Sequence, residues 1–221
     1  LELFNTYKAN NMNDMFHNCK KFNSDLSKWY MRKVESMSSM FENCSEFNGN
    51  VTTWNTQACR RFKGVFRKCV KFNQDLSNWI VHGAETFNNM FMCCTIFESD
   101  LSNWNVMRVY NCADMFAYAK AFNSDLSNWN MTNCNDIGNM FSYADKFNSD
   151  VSTWNTKKFK VTRNAFRNCR LLESDFSNWD MTNVERADGM FDLCKKFNAD
   201  VSNWDMSNCE NMSDMFISCE I

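Results

Sequence analysis

Hydrophobic and polar positions recur along this chain with a period of 25 residues. The clearest marker is a tryptophan that occupies one slot of the period, at Trp29, Trp54, Trp79, Trp104, Trp129, Trp154, Trp179 and Trp204, with Phe4 in the preceding slot. Self-similarity at a fixed period is the signature of a repeat architecture. We therefore predict a single solenoid domain over residues 1–221, made of just under nine repeats. Positions are counted below from the tryptophan of each repeat or, in the first repeat, from Phe4.

The first half of each repeat has the hydrophobic spacing of a helix. Apolar residues at positions 5, 8, 11, 12 and 15 follow the three-and-four spacing of one helix face, as Val184, Ala187, Met190, Phe191 and Cys194 illustrate. Position 12 is phenylalanine in every repeat, and position 11 is mostly methionine. The pattern predicts a short amphipathic helix in each repeat.

The second half of each repeat alternates in the manner of a strand. In residues 122–127 the pattern places Phe122, Ser124 and Leu126 inward and the residues between them outward. A unit of one short helix and one short strand cannot bury its own apolar face, so it is stable only when stacked on its neighbours. We therefore expect an α/β repeat solenoid whose strands form one parallel sheet, at about 4.8 Å per repeat.

The composition narrows the classes of function. A formal net charge of −2 gives no general attraction to nucleic acid or to anionic membranes. No apolar stretch approaches the roughly 18 residues of a membrane span, so direct membrane insertion is not expected. Five Gly and no Pro are too few for ordinary turns, which leaves asparagine as the expected turn former.

Cysteine occupies a recurrent small slot at position 15. Seven of the twelve cysteines lie there, and Ala119 and Ala144 replace cysteine twice. Because alanine suits a small buried slot, we interpret the column as buried free thiols rather than disulfides. Cys93 lies beside the column, is expected to face outward, and is the candidate reactive thiol. The chain has no CxxC motif and two His, so neither a metal site nor a cofactor is expected.

An aspartate column at position 21 is the first candidate interaction surface. One interpretation is a ladder of carboxylates that binds cations or a repetitive partner. The other is that each carboxylate accepts a bond from the serine two residues on, in an Asx-type turn. The neighbouring asparagine column, which includes Asn73, Asn123 and Asn148, is expected to form a side-chain ladder that satisfies turn backbone. The column's candidate residues are Asp75, Asp100, Asp125, Asp150, Asp175 and Asp200.

Basic residues concentrate in the third and seventh repeats and form the second candidate surface. Residues that vary between repeats are the ones available for recognising an irregular partner. The two groups either form local positive patches for an acidic partner or are simply solvated charge. They comprise Arg60, Arg61, Arg67 and Lys68 in the third repeat, and Lys157, Lys158, Lys160, Arg163 and Arg167 in the seventh.

The recurring phrase MFxxCxxFNxDLSxW resembles the BspA-like leucine-rich repeat, in the variant found in mycoplasma lipoproteins and in many bacterial and protist surface proteins. The resemblance covers the chain from Phe4 to Cys219. It implies a right-handed leucine-rich-repeat-type solenoid, a role in adhesion or protein binding at a cell surface, and no catalytic residues. The resemblance favours a cell-surface or secreted setting, whereas the twelve cysteines depart from the family pattern and leave an intracellular or virion assembly open.

Enzymatic function finds no support in the sequence, which has no Ser-His-Asp set, no phosphate-binding glycine loop and no non-repeated acid pair. The favoured function is a non-enzymatic, adhesin-like surface scaffold that binds protein partners. The alternative is a structural or cementing subunit of a larger assembly, such as a virion or cell coat, with self-association. A third is binding of a polysaccharide or mineral by the regular polar face. Because the terminal repeats are incomplete, we expect the solenoid to belong to a longer chain.

Overall fold

A computed structural model describes residues 4–219, which form a solenoid of stacked 25-residue repeats. Over these residues the chain forms turns, with no helix and no strand of more than one residue. Successive repeats are joined at position 7 by a column of isolated parallel β-bridges. The bridged residues are Asn11, Ser36, Arg61, Thr86, Asn111, Asp136, Val161, Arg186 and Asn211.

The prediction of a helix is wrong, although the apolar residues that it placed on the inner face are buried. In the fifth repeat, the amides of Cys112, Asp114, Phe116 and Tyr118 donate to carbonyls of the next repeat at 2.8–2.9 Å. The amides of Met115 and Ala117 donate three residues back, as from Ala117 to Asp114 at 3.2 Å. An α-helix needs bonds four residues back along the same segment. Here alternate amides instead bind the repeats to one another.

Left-handed residues explain why these segments are not helical. Positions 10 and 14 have positive φ in every repeat; Asn139 has φ 55° and Tyr143 has φ 59°. A right-handed helix does not accommodate such residues. Position 10 is always Asn, Asp, Ser or Gly, and Gly189 has φ 62° there. The turn repeats every three to four residues, so it buries the same positions as a helix would.

Most of the predicted strand segments also lack backbone pairing, with the bond from the Leu26 amide to the Asn50 carbonyl at 3.2 Å as an exception, although their alternation is confirmed. Phe122, Ser124 and Leu126 are buried, whereas Asn123 and Asp125 are exposed. Side chains replace the ladder: the Ser124 hydroxyl accepts the Leu101 amide at 2.8 Å. The single parallel sheet is thus reduced to the bridge column, which lies in the half of the repeat predicted to be helical.

Columns of stacked aromatic rings fill the interior. Phe116 lies 5.6 Å from Phe141 of the next repeat, with planes 7° apart, and 3.8 Å from Phe122 of its own repeat. Offset stacks of this kind add stability beyond the apolar area they bury. One hydrophobic cluster runs from Met12 to Met215, so each repeat completes the core of its neighbours.

The tryptophan and cysteine columns bond to backbone carbonyls. The Trp129 indole N–H donates to the Leu101 carbonyl, 28 residues earlier in the chain, at 3.0 Å, and every tryptophan from Trp54 to Trp204 repeats this bond. The Cys169 thiol donates to the Phe141 carbonyl at 3.1 Å, and five other cysteines of the column do likewise. These side chains therefore serve the scaffold.

Candidate interaction surfaces

The aspartate column is occupied by internal hydrogen bonds. In each member an Oδ1 atom accepts the backbone amide of the serine two residues on, at 2.8–2.9 Å. The Ser102 amide lowers the pKa of Asp100, and the same kind of bond lowers the pKa of Asp150 and Asp200. The geometry therefore favours the Asx-turn interpretation over a ladder that binds cations.

The asparagine column forms the predicted ladder. The Asn123 Oδ1 atom accepts the Asn148 amide of the next repeat at 2.7 Å, and Asn48 does the same for Asn73 at 2.8 Å. Glu98 and Glu173 interrupt the column, and each donates its backbone amide to the asparagine Oδ1 atom of the preceding repeat. The Oδ1 atoms of these asparagines therefore stabilise the stack.

The basic residues of the third repeat lie at positions 6, 7, 13 and 14, and two of them have an acidic neighbour. Arg67 bonds to Glu42 through Nη1–Oε1 at 2.7 Å, whereas Arg60 lies 3.7 Å from Glu85. Arg61 occupies the bridge column, and Lys68 has left-handed backbone at φ 61°. Neither Arg61 nor Lys68 has an ion-pair partner within residues 4–219. Two of the four cations therefore have a carboxylate beside them, and in the described part of the chain the other two do not.

The seventh repeat is similar, and acidic residues of the eighth neutralise much of it. Lys160 pairs with Glu185 at 2.7 Å, Arg167 with Asp192 at 3.0 Å, and Arg163 lies 3.9 Å from Asp188. Lys158 donates to the Asn133 side chain at 2.7 Å, and Lys157 is exposed. Most of these basic residues are therefore paired with acidic residues and do not present free positive charge.

Side chains at positions 7, 9, 10, 13 and 14 make contacts with one another across repeats, and we call this surface the bridged face. Arg186 and Arg163 both contact Asp188, and Arg167 lies 5.8 Å from the Tyr143 ring. Tyr143 in turn stacks on Tyr118, with centroids 4.8 Å apart and planes 4° apart. The stacked tyrosine pair was not predicted from sequence. Its signal was tyrosine at position 14, where Asn recurs in other repeats.

The candidate thiol Cys93 lies at the edge of the bridged face and is half-buried. Burial raises its pKa, and the nearby Lys68 and Arg67 partly offset that change. A raised pKa lowers the thiolate fraction at neutral pH, so the site does not activate this thiol.

A cleft at positions 3 to 6 of the second to fifth repeats was also missed from sequence. Arg60, His82 and Arg108 line it together with Glu35, around Gly83. The available signal was the loss of asparagine at position 4, where Asn133, Asn183 and Asn208 occur in later repeats. Within residues 4–219 no group of three or more His, Cys, Asp or Glu side chains is arranged to hold a metal ion. The same residues contain no helix that could cross a membrane.

Comparison with known proteins gives one family match and distant structural similarities. The profile of a family described as "Mycoplasma protein of unknown function, DUF285" matches residues 1–95, 61–170 and 149–221. No curated protein matches the sequence. A leucine-rich cell surface protein from Faecalibacterium prausnitzii is 10% identical, with a TM-score of 0.36 over 85% of this chain and 74% of that one. A leucine-rich repeat protein from Bacteroides ovatus is 13% identical, with a TM-score of 0.24 over 94% of this chain and 79% of that one.

Proposed function

The chain belongs to the DUF285 family of mycoplasma proteins, and from its geometry we propose that it is a non-enzymatic scaffold that binds proteins at a cell surface, in the manner of an adhesin. One observation carries the proposal, namely that recurrent and variable side chains have different roles. The recurrent Trp, Cys, Asn and Asp columns bond mainly to the backbone of their own or adjacent repeats. Several of the positions that vary, namely 7, 9, 13 and 14, lie together on the bridged face.

Position 13 shows this variation most clearly. Nine repeats place eight different residue types there, among them His17, Glu42, Met92 and Ile217. Backbone bonding does not require a particular side chain at this position, because its amide and carbonyl make the connections between turns and repeats. A regular framework that presents an irregular, contiguous row of side chains is suited to recognising another protein surface.

The bridged face also has the composition of a recognition surface. Arginine and tyrosine are enriched where binding energy concentrates in protein interfaces. Here Arg67, Tyr118, Tyr143 and Arg167 lie on one face, partly exposed. Because repeat proteins bind through extended surfaces, we expect the partner to contact several repeats at once.

The test exchanges bridged-face residues for residues that other repeats carry at the same position. The four substitutions are Arg67→Ser, Lys68→Asn, Tyr143→Asn and Arg167→Ser, which copy Ser142, Asn43 and Asn168. The control carries Lys20→Ser, Lys71→Ala, Lys120→Thr and Lys196→Ala, which are also borrowed from matching positions but lie off the bridged face. Immobilised wild-type protein is assayed for binding to an array of purified extracellular proteins.

We expect the bridged-face variant to lose the array interactions that the wild type shows, and the control to keep them. Thermal melting of all three proteins establishes that the substitutions leave the fold intact. Equal binding by the bridged-face variant and the wild type would remove the proposed binding face. An array on which wild-type protein binds nothing would count against protein binding itself.

A further inference from the structure

The starting observation is a second side-chain ladder, at position 4. The Asn133 side-chain amide donates to the Met107 carbonyl of the preceding repeat at 2.8 Å. Asn183 and Asn208 make the same bond to carbonyls of their preceding repeats, also at 2.8 Å. In these repeats the asparagine covers the carbonyl at position 3 and fills the space between adjacent turns.

Position 4 is basic in four other repeats, as Lys8, Lys33, Arg108 and Lys158, and in two consecutive repeats it is Ala58 and Gly83. Neither has a side chain that could reach the carbonyl beneath it. A Cβ atom added at Gly83 would lie 3.7 Å from both the Gln57 and Cys59 carbonyl oxygens, at ordinary contact distance. The two small residues thus leave an open cleft with a volume of about 360 Å³, which has backbone carbonyls beside it.

Cationic and hydrogen-bonding groups surround the cleft. Arg60, Arg108 and His82 line it, with Glu35 as the one carboxylate of the lining. Arg108 has no ion-pair or hydrogen-bond partner anywhere in residues 4–219. Arg60 is 3.7 Å from Glu85, and both side chains are at least 40% exposed, so this pair contributes little stability. Both guanidinium groups are therefore available to a ligand.

We infer that this cleft binds an acidic side chain, Asp or Glu, from an extended segment of the protein partner. The inference rests on the proposed protein-binding function and names the chemistry of one contact. A guanidinium matches a carboxylate in a two-bond geometry, and Arg108 and Arg60 are placed to supply it. The uncovered Gln57 carbonyl accepts an N–H group, which a peptide backbone carries next to its acidic side chains. A ligand with both an anion and adjacent N–H donors fits the lining better than a simple anion does.

Gly83→Asn provides a sharp test, because it introduces the residue that the later repeats use at this position. The new amide is placed to cover the Gln57 carbonyl and to occupy the cleft. Replacing glycine also reduces the entropy of the unfolded chain, so the variant is expected to be at least as stable as the wild type. Loss of binding in this variant would then report a filled site rather than an unfolded protein.

The probe is a fluorescein-labelled, N-acetylated tetraglutamate peptide, with the tetraglutamine peptide as its uncharged match. Binding to the 221-residue chain is followed by fluorescence anisotropy at low ionic strength. We expect Arg108→Gln to weaken tetraglutamate binding about tenfold, equivalent to ~1.4 kcal/mol, and Gly83→Asn to abolish it. Lys158→Gln, at the same position but outside the cleft, is expected to change the affinity less than about twofold.

Three results would overturn the inference. Gly83→Asn could bind tetraglutamate as well as the wild type, tetraglutamine could bind equally well, or a polyuronate could bind in the cleft while tetraglutamate does not. The bridged-face test separates this inference from the proposed function. If the bridged-face variant loses the protein partner while Arg108→Gln and Gly83→Asn keep it, the scaffold function stands and the acidic-segment site fails.

Discussion

At the residue scale, position 14 holds several residue types that its left-handed backbone conformation disfavours. Every repeat has positive φ there, from 58° to 64°, yet the position holds Lys68, Cys93, Tyr118 and Leu193 as well as asparagine. Left-handed backbone costs a side-chain-bearing residue about 1–2 kcal/mol, and asparagine less than most. Position 10, also left-handed, holds only Asn, Asp, Ser and Gly. The residue types at position 14 are therefore not chosen for the backbone alone, which supports a role for these side chains in recognition.

We predict that Leu193→Asn stabilises the protein by about 1 kcal/mol, because asparagine tolerates the φ of 64° better than leucine does. The measurement is the free energy of unfolding in urea, followed by tryptophan fluorescence. Leu171→Asn is the matched control, since Leu171 is a 41%-exposed leucine outside the left-handed positions. A gain at both sites, or at neither, would contradict the assignment of the cost to backbone conformation.

At the scale of the element, the sequence predicts burial better than it predicts backbone. The period, the core columns, the asparagine ladder and the Asx turns all follow from residue types that recur at fixed spacing. The helix prediction failed because the spacing of buried residues is the same in a helix and in these turns. Residues such as Asn139 and Gly189 are found in left-handed turns but are also tolerated within helices, so they did not distinguish the two structures. The cleft at Gly83 was missed because an absent side chain leaves no motif. The bonds between repeats could not be predicted, because they depend on which carbonyl of the next repeat each amide reaches.

The seventh repeat contains an exchange of sizes that tests the packing of one unit. Leu172 replaces the phenylalanine of position 18, and Phe176 replaces the aliphatic residue of position 22. Both are fully buried. The Phe176 ring packs edge to face on Phe166, the phenylalanine of position 12, with centroids 5.2 Å apart. In the sixth repeat the equivalent ring, Phe141, is contacted instead by Phe147 of position 18, which stacks on it at 3.8 Å. The two substitutions therefore compensate for each other in volume.

We predict that the reciprocal exchange is strongly non-additive. Leu172→Phe alone overpacks the repeat and costs about 1–3 kcal/mol. Phe176→Leu alone leaves a cavity and costs a similar amount, about 1–3 kcal/mol. The double variant restores the arrangement of the other repeats and should lose less than either single variant. Urea unfolding of the four proteins gives the coupling energy; a double variant whose loss equals the sum of the single losses would show that the two sites do not share space.

At the scale of the whole molecule, buried thiols couple stability to alkaline pH. Burial raises the pKa of Cys44 to about 11 and the pKa of Cys59 and Cys194 to about 12, from an ordinary value of 9.0. The folded state therefore keeps these protons after the unfolded chain has lost them. The contribution of these thiols to stability is constant below about pH 8 and falls as pH rises through 9 toward 12, by about 1.4 kcal/mol per pH unit for each buried thiol.

The measurement is the urea midpoint at pH 8, 9 and 10 in the presence of reductant. The comparison protein carries alanine at Cys44, Cys69, Cys169 and Cys194, a replacement that Ala119 and Ala144 show the column accepts. Its midpoint should be lower at pH 8, because it lacks four thiol-to-carbonyl bonds, but should fall less steeply with pH. Parallel pH profiles for the two proteins would mean that other groups cause the alkaline loss.

The strict 25-residue period makes a final prediction about the whole stack. Deleting residues 104–128 joins Asn103 to Trp129, so that Trp129 takes the place of Trp104, whose indole donates to the Leu76 carbonyl at 3.0 Å. Because each repeat contacts only its neighbours, the shortened protein should fold. The m-value of its urea unfolding should be lower than that of the wild type by roughly one ninth. Deleting residues 104–127, one residue fewer, leaves an extra residue before Trp129 and shifts it out of the tryptophan column. That variant should unfold at much lower urea, with the loss centred on the junction. Equal stability of the two deletions would show that the bonds between repeats tolerate a change of register, and the bridge and indole columns would then not be what fixes the stacking of the repeats.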